Sequence, residues 1–244
     1  MRLPMKQLFT QTTLIIALAL MCAACAEQTN LYSVTGTSSQ AYLDGNTAYM
    51  KLMDGGSYRD IDSCTVLHGN FQMSGPLDSV MCVSLFMGDT YDINNRPILV
   101  VLEEGNVKVN IGYSSVKAEG TPLNERLYHF LAKRDSIGMM LIDPNLTRME
   151  LMIDGFSPDI IHKRMEEVMR NNKKYFDALD NLETKFVEEN YDNVLGTTWF
   201  IHMCERALFN FDVPANPNIQ KIYKKAPAEF RNNPNVRRCV MLLR

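Results

Sequence analysis

The chain has 244 residues, 46% of them hydrophobic, with 25 Lys and Arg against 28 Asp and Glu, for a formal net charge of −3. That length and apolar content support a real core in one domain or two small ones and exclude a disordered chain. The acidic balance argues against nucleic acid as a partner.

The N-terminus comes first in chain order and bears on compartment. Arg2 and Lys6 make a short positive segment, followed by the apolar run Leu14–Met21 and then Cys22-Ala23-Ala24-Cys25. The run has the length of a signal-peptide core and is too short to span a bilayer comfortably. Small residues before a cysteine are what a lipoprotein signal peptidase accepts, so residues 1–24 resemble a lipoprotein signal peptide with Cys25 as the acylated residue. Cutting there removes Arg2 and Lys6 and no acid, leaving a net charge of about −5. Three acyl chains on one cysteine hold a protein to a membrane stably, whereas one chain does so marginally. Two other readings attach to this segment. It is a plain secretory signal without lipid, or Cys22-x-x-Cys25 is a redox pair, which needs a preceding strand and a following helix. Residues 25–30 read as a polar tether with a single acid, which favours the periplasmic face of the outer membrane.

From residue 31 to 121 the chain is strand-like, with short β-branched and aromatic runs punctuated by Gly, Asp and Asn. Strands are expected over 31–36, 47–53, 64–67, 70–74, 80–86, 97–102, 107–111 and 116–119. His68-Gly69-Asn70 and Glu104-Gly105-Asn106 serve as tight connections, with glycine free to take positive φ. Antiparallel strands at this spacing indicate a β-sandwich or an open barrel.

From residue 122 to 244 the apolar period becomes helical. Helices are expected over 123–141, from Pro158 onward with Asn172 and Asn181 as candidate interruptions, and over 197–209, 217–225 and 235–243. Ser157-Pro158-Asp159 is a helix start signal. Asp54-Gly55-Gly56-Ser57 and Asp143-Pro144-Asn145 read as turns rather than calcium loops. The fold class is therefore α+β, an N-terminal antiparallel β-sandwich followed by an all-helical C-terminal region.

The order of several fragments resembles a known family. They are Tyr32-Ser33-Val34-Thr35-Gly36, Ala48-Tyr49-Met50, Ile61–Val66, Gly69–Gly75, Val101–Val107 and Glu119–Asn124. Over about residues 30–125 they resemble the domain of unknown function 4369, which occurs in exported lipoproteins of Bacteroidetes and commonly precedes a thioredoxin-like domain. The helical part, with Asn193–Gly196 and Phe230–Val236, is similar to the segment that links the two. No Trp-Cys-x-x-Cys follows, so the resemblance implies no oxidoreductase activity here and supplies no catalytic residues.

The search for chemistry gives no catalytic residue, no metal ligand set and no cofactor motif. Cys64 and Cys82 lie in strands expected to be neighbours, and either stay buried thiols or form a disulfide. His202 and Cys204 sit two apart on a helix and point apart, so they share no site. His162 and Glu166, four apart, suit a solvent-exposed ion pair. Met139, Met140, Met149, Met152, Met165 and Met169 are either adaptable core filling or a flexible binding groove. These observations point to a non-catalytic binding or scaffolding lipoprotein, held to the membrane at Cys25 and contacting an envelope protein or small ligand. The alternative is an accessory in thiol–disulfide chemistry through Cys64, Cys82, Cys204 or Cys239.

Overall fold

The computed structural model describes residues 30–243 apart from 55, 91, 93–94 and 210–215. The signal peptide expected over 1–24, the expected acylation site Cys25 and residues 26–29 of the expected tether lie outside the described residues.

Eight strands form two four-stranded sheets. They are β1 (Leu31–Ser38), β2 (Thr47–Asp54), β3 (Ser57–Thr65), β4 (Asn70–Pro76), β5 (Met81–Met87), β6 (Ile98–Leu102), β7 (Gly105–Ile111) and β8 (Val116–Glu119). Sheet one has the order β4-β1-β7-β8 and sheet two β3-β2-β5-β6. The chain switches sheets after β1, β3, β4 and β6, while the hairpins β2–β3, β5–β6 and β7–β8 stay within one sheet. Val34, Met50, Phe71, Leu85, Val100 and Val107 from both sheets share one core, as in a sandwich. One pairing departs from the antiparallel expectation. β1 and β7 run parallel, Val34 opposite Val107, because β7 returns to sheet one after the β5–β6 excursion rather than from a neighbouring hairpin.

The fragments that carry the family resemblance have steric reasons. On the β1–β4 ladder Tyr32 opposes Gly75 and Gly36 opposes Phe71. A Cβ on Gly36 would lie 1.9 Å from the Phe71 ring, and one on Gly75 would lie 3.0–3.2 Å from Tyr32. Each glycine thus gives the facing ring a seat on the strand. Tyr32 also spans the two sheets by donating its hydroxyl to Asp62 Oδ2 at 3.1 Å, and burial with that carboxylate raises its pKa to about 12. Asp62 Oδ1 meanwhile accepts from Ser63 N at 2.7 Å, on the strand that forms one edge of sheet two. His68 and Gly69 both take positive φ in the turn before β4. β3 begins seven residues earlier than expected from sequence, because Tyr58-Arg59-Asp60 lacks an apolar face and still pairs with β2.

The β5–β6 half of sheet two is buried on both faces. Val83 and Leu85 of β5, with Val100 and Leu102 of β6, enter the sandwich core. Cys82, Leu99 and Val101 point the other way, into a second cluster built with the helices. This explains why β5 and β6 read as continuous apolar runs.

The helices are α1 (Pro122–Gly138), α2 (Pro144–Ile153), α3 (Pro158–Glu188), α4 (Val194–Phe209), α5 (Ile219–Lys225), α6 (Ala228–Asn232) and α7 (Pro234–Leu242). Helix α2 was read as a turn in sequence. The Asp143 carboxylate instead caps it, accepting from Asn145 N at 2.8 Å and Leu146 N at 3.2 Å, with Pro144 at the first helical position. Neither Asn172 nor Asn181 interrupts α3. Asn172 is 2% exposed and clasps the link before α2: its amide nitrogen donates to Ile142 O at 2.7 Å and its oxygen accepts from Ile142 N at 3.0 Å. The methionines read either as core filling or as a flexible binding groove, and Met139 and Met169 line a concavity against α3. Met139, Met140, Met149, Met152 and Met169 are exposed, Met149 and Met152 on α2, which buries no residue. Among the described residues no helix is long and apolar enough to cross a membrane.

The strand-to-helix junction is a buried polar clasp. Asn124, on the first turn of α1, accepts from Val101 N at 2.9 Å and donates to Val101 O at 2.7 Å and Thr121 Oγ1 at 2.8 Å. It supplies what a further strand would supply at the open edge of β6. Glu103 Oε1 accepts from Leu123 N at 2.8 Å and Asn124 N at 3.2 Å, capping α1 from the sheet while Thr121 makes no side-chain cap. Tyr128 adds a hydrogen bond to Leu99 O at 3.1 Å on the same edge. Asn124→Ala removes both partners of Val101 and leaves a buried N–H and C=O unpaired, a loss of about 2–4 kcal/mol. Urea unfolding is expected to show a lower midpoint at unchanged slope, and a midpoint equal to wild type would refute the assigned role.

Candidate functional site

The largest apolar concavity beside the sandwich is a groove of about 530 Å³ between sheet two and helices α4 and α7. One wall comes from Leu52, Tyr58, Cys82 and Leu99 of sheet two, the other from Trp199, Ile201, His202 and Leu208 of α4, with Arg238 and Cys239 of α7 closing one end. The volume lies within the range of small-molecule sites, and the lining is apolar with a few polar groups. Two of those groups, His202 and Glu205, sit three residues apart on one face of α4.

The groove sets the charge of both groups. His202 is open to solvent, yet the concave apolar walls surround it. That desolvation, with Arg206 and Arg134 nearby, pushes its pKa down to about 4. His202 is therefore neutral at pH 7. Desolvation also raises Glu205. On the floor, Cys82 is pushed up to about 12 by burial, partly offset by a hydrogen bond from Thr198. A thiol so disposed stays protonated and is a poor nucleophile.

Trp199 links the groove to the helical core. It is 3% exposed, meets Phe130 edge-on at 4.6 Å, and has the Arg134 guanidinium over its ring at 5.5 Å. Its indole N–H is buried and has no hydrogen-bond partner.

A second concavity, about 670 Å³, lies where α1 ends and α2 begins, against α3. At its edge Glu183 is 1% exposed and held by Arg206, with Arg134 Nε donating to Glu183 Oε1 at 3.3 Å. Glu183 takes a guanidinium nitrogen from each arginine, while Arg206 Nε is buried without a hydrogen-bond partner. The cluster is a structural ion-pair network on α1, α3 and α4.

Cys64 and Cys82 do not meet. They lie on β3 and β5 with β2 between them, and on opposite faces of sheet two: Cys64 packs against the sandwich core and Cys82 against the helical one. The expectation of neighbouring strands failed because the hairpin partner of β3 is β2, and β4 intervenes in the other sheet. All four described cysteines are free thiols. Sequence reasoning did not single out Cys204 with Cys239, which α4 and α7 bring together in one cluster. Their spacing of 35 residues carries no pattern, and only the packing of two helices reveals them. His202 and Cys204 diverge as the helical spacing required, His202 exposed and Cys204 fully buried. His162 and Glu166 form the exposed pair expected, at 3.6 Å. Among the described residues no group of three or more His, Cys, Asp or Glu could hold a metal ion.

Asp180 offers a check on the electrostatics next to Glu183. Burial first, and Glu183 second, raise its pKa from 3.8 to about 6. The folded state then holds a proton that the unfolded chain releases between about pH 4 and 6, so wild-type stability falls as pH rises through that window. Asp180→Asn removes this dependence. The variant is expected to melt at a higher temperature than wild type at pH 7, with the difference vanishing near pH 4. A difference independent of pH would sink the assignment.

Residues 32–127 match the model of a family described as Domain of unknown function (DUF4369). The match runs from β1 through the clasp at Asn124 to the first turns of α1. No curated protein and no solved structure matches the chain.

Proposed function

We propose that this chain, with its DUF4369 domain, is a lipoprotein of the cell envelope that binds an apolar small ligand without transforming it. In this reading Cys25 carries the acyl chains, the periplasmic face of the outer membrane is the site of anchoring, and the groove beside sheet two is the ligand site. The observation that carries the binding role is the groove itself: an apolar slot with a neutral imidazole and a desolvated carboxyl along one helix. A neutral His202 and a protonation-prone Glu205 suit an uncharged or weakly polar head group next to an apolar body. The thiol on the floor is held protonated, so it serves as wall rather than nucleophile.

Two experiments test the two halves of this reading. The mature protein is titrated with N-phenyl-1-naphthylamine, an apolar fluorophore, while emission from Trp199, the only tryptophan, is followed. Saturable binding with energy transfer from Trp199 is expected. Leu208→Glu, at the groove wall, is expected to weaken it by about tenfold, near 1.4 kcal/mol, with an unchanged circular-dichroism spectrum. Non-saturable binding, or equal affinity in the variant, argues against the groove. For the anchor, Cys25→Ala is expected to abolish palmitate labelling and release the protein from the membrane fraction. Labelling equal to wild type would reject acylation at that residue.

A further inference from the structure

We propose that Cys204 and Cys239 form a reversible dithiol–disulfide site joining α4 to α7. This does not depend on what the groove binds.

The two thiols come from helices that pack along one another, and both belong to the same helical core. Their side chains are in hydrogen-bond contact, the Cys204 S–H donating to the Cys239 sulfur. The surroundings divide their roles. Cys204 is fully buried, among residues such as Phe200 and Met203. Cys239 is 8% exposed and lines the end of the groove beside Arg238. A reagent entering the groove therefore meets Cys239 first, and Cys204 stands behind it as the second thiol. Electrostatics agrees with the geometry: the hydrogen bond from Cys204 lowers the pKa of Cys239 and raises that of Cys204. Cys82 shares the groove but lacks a thiol neighbour, and Cys64 faces the other side of sheet two.

The reaction needs an oxidant, here a disulfide of the small-molecule class represented by oxidised glutathione. Cys239 loses its proton and attacks one sulfur of that disulfide, which forms a mixed disulfide and releases one thiolate. The Cys204 thiol then passes its proton to that thiolate and attacks Cys239 Sγ. The second half of the reagent leaves as a thiolate and takes up the proton shed by Cys239. Two protein thiols are oxidised to one S–S bond, and one reagent disulfide is reduced to two thiols.

The test uses the mature protein under native conditions with oxidised glutathione, followed by alkylation after unfolding and peptide mapping. The expected product has lost two hydrogens, carries a single Cys204–Cys239 cross-link, and regains both thiols in excess reduced glutathione. Cys204→Ser is expected to stop the reaction at a stable glutathione adduct on Cys239, and Cys239→Ser to lose the adduct at both positions. The proposal is overturned by wild-type protein whose Cys204 and Cys239 remain fully alkylatable, or whose Cys64 or Cys82 reacts while that pair does not. The wild-type map alone decides the matter if Cys204→Ser, a change at a fully buried position, does not fold.

Discussion

The structure turns on how the open edge of sheet two is closed. β6 is an edge strand, and an unpaired edge inside a core is costly because each buried N–H and C=O needs a partner. Here no further strand arrives. The amide of Asn124 bonds to both backbone groups of Val101, and Tyr128 takes Leu99 O. Because Asn124 sits on the first turn of α1, closing the edge also fixes where the helical half begins and which way it leaves the sheet. Glu103 completes the same junction from the strand side by capping the helix. The family match extends across this junction to residue 127, so the clasp falls within the shared domain.

Once α1 is set against β6, the outer face of sheet two must be covered or exposed along its length. The helices cover it at Val101 and, through α4, along β5. They do not seal it at the β2 and β3 side, where Met53 and Tyr58 line the groove opposite α4 and α7. The groove is thus the seam between a sheet whose β5–β6 half is apolar on both faces and a helical layer that covers only part of one. Its apolar character follows from the sheet, and its polar groups come from α4, with Thr198, His202 and Glu205, and from the start and middle of α7, with Asn233, Asn235 and Arg238.

Much of the fold was legible in the sequence, and the reasons for the rest are specific. Apolar runs set between turn residues located seven of the eight strands within a few residues, alternating where a strand is half-buried and continuous in β5 and β6. β3 was cut short because Tyr58-Arg59-Asp60 carries no apolar alternation; this edge segment is held by its ladder, the Lys51–Asp60 ion pair and the Tyr58–Phe86 ring contact. Periodicity found α1, α3, α4, α5 and α7. It missed α2, whose Asp-Pro-Asn start has the composition of a turn and whose apolar residues contact little. Asn172 looked like a break and is a buried clasp, since composition cannot distinguish an asparagine that ends a helix from one that holds a neighbouring loop. The parallel β1–β7 pair and the separation of Cys64 from Cys82 depend on strand order across two sheets, which local pattern does not encode. The site was the least visible part: the lining of the groove comes from strands and helices more than a hundred residues apart, and none of its residues forms a motif.

Helix α4 shows why so few residues carry so much of the chemistry. Its 3.6-residue period sorts adjacent side chains into different environments. Trp199, His202 and Glu205 line the groove, Phe200 and Cys204 enter the core, and Arg206 reaches Glu183 on α3. These faces are not independent. The same guanidiniums that neutralise Glu183 help hold His202 uncharged, and Arg134 also lies over the Trp199 ring. The buried Glu183 requires those cations, since a carboxylate at 1% exposure without them would be untenable. Desolvation by the groove walls comes first in keeping the imidazole uncharged, the charge cluster behind α4 adds to it, and loss of Glu183 would free two arginines to act on the groove from behind.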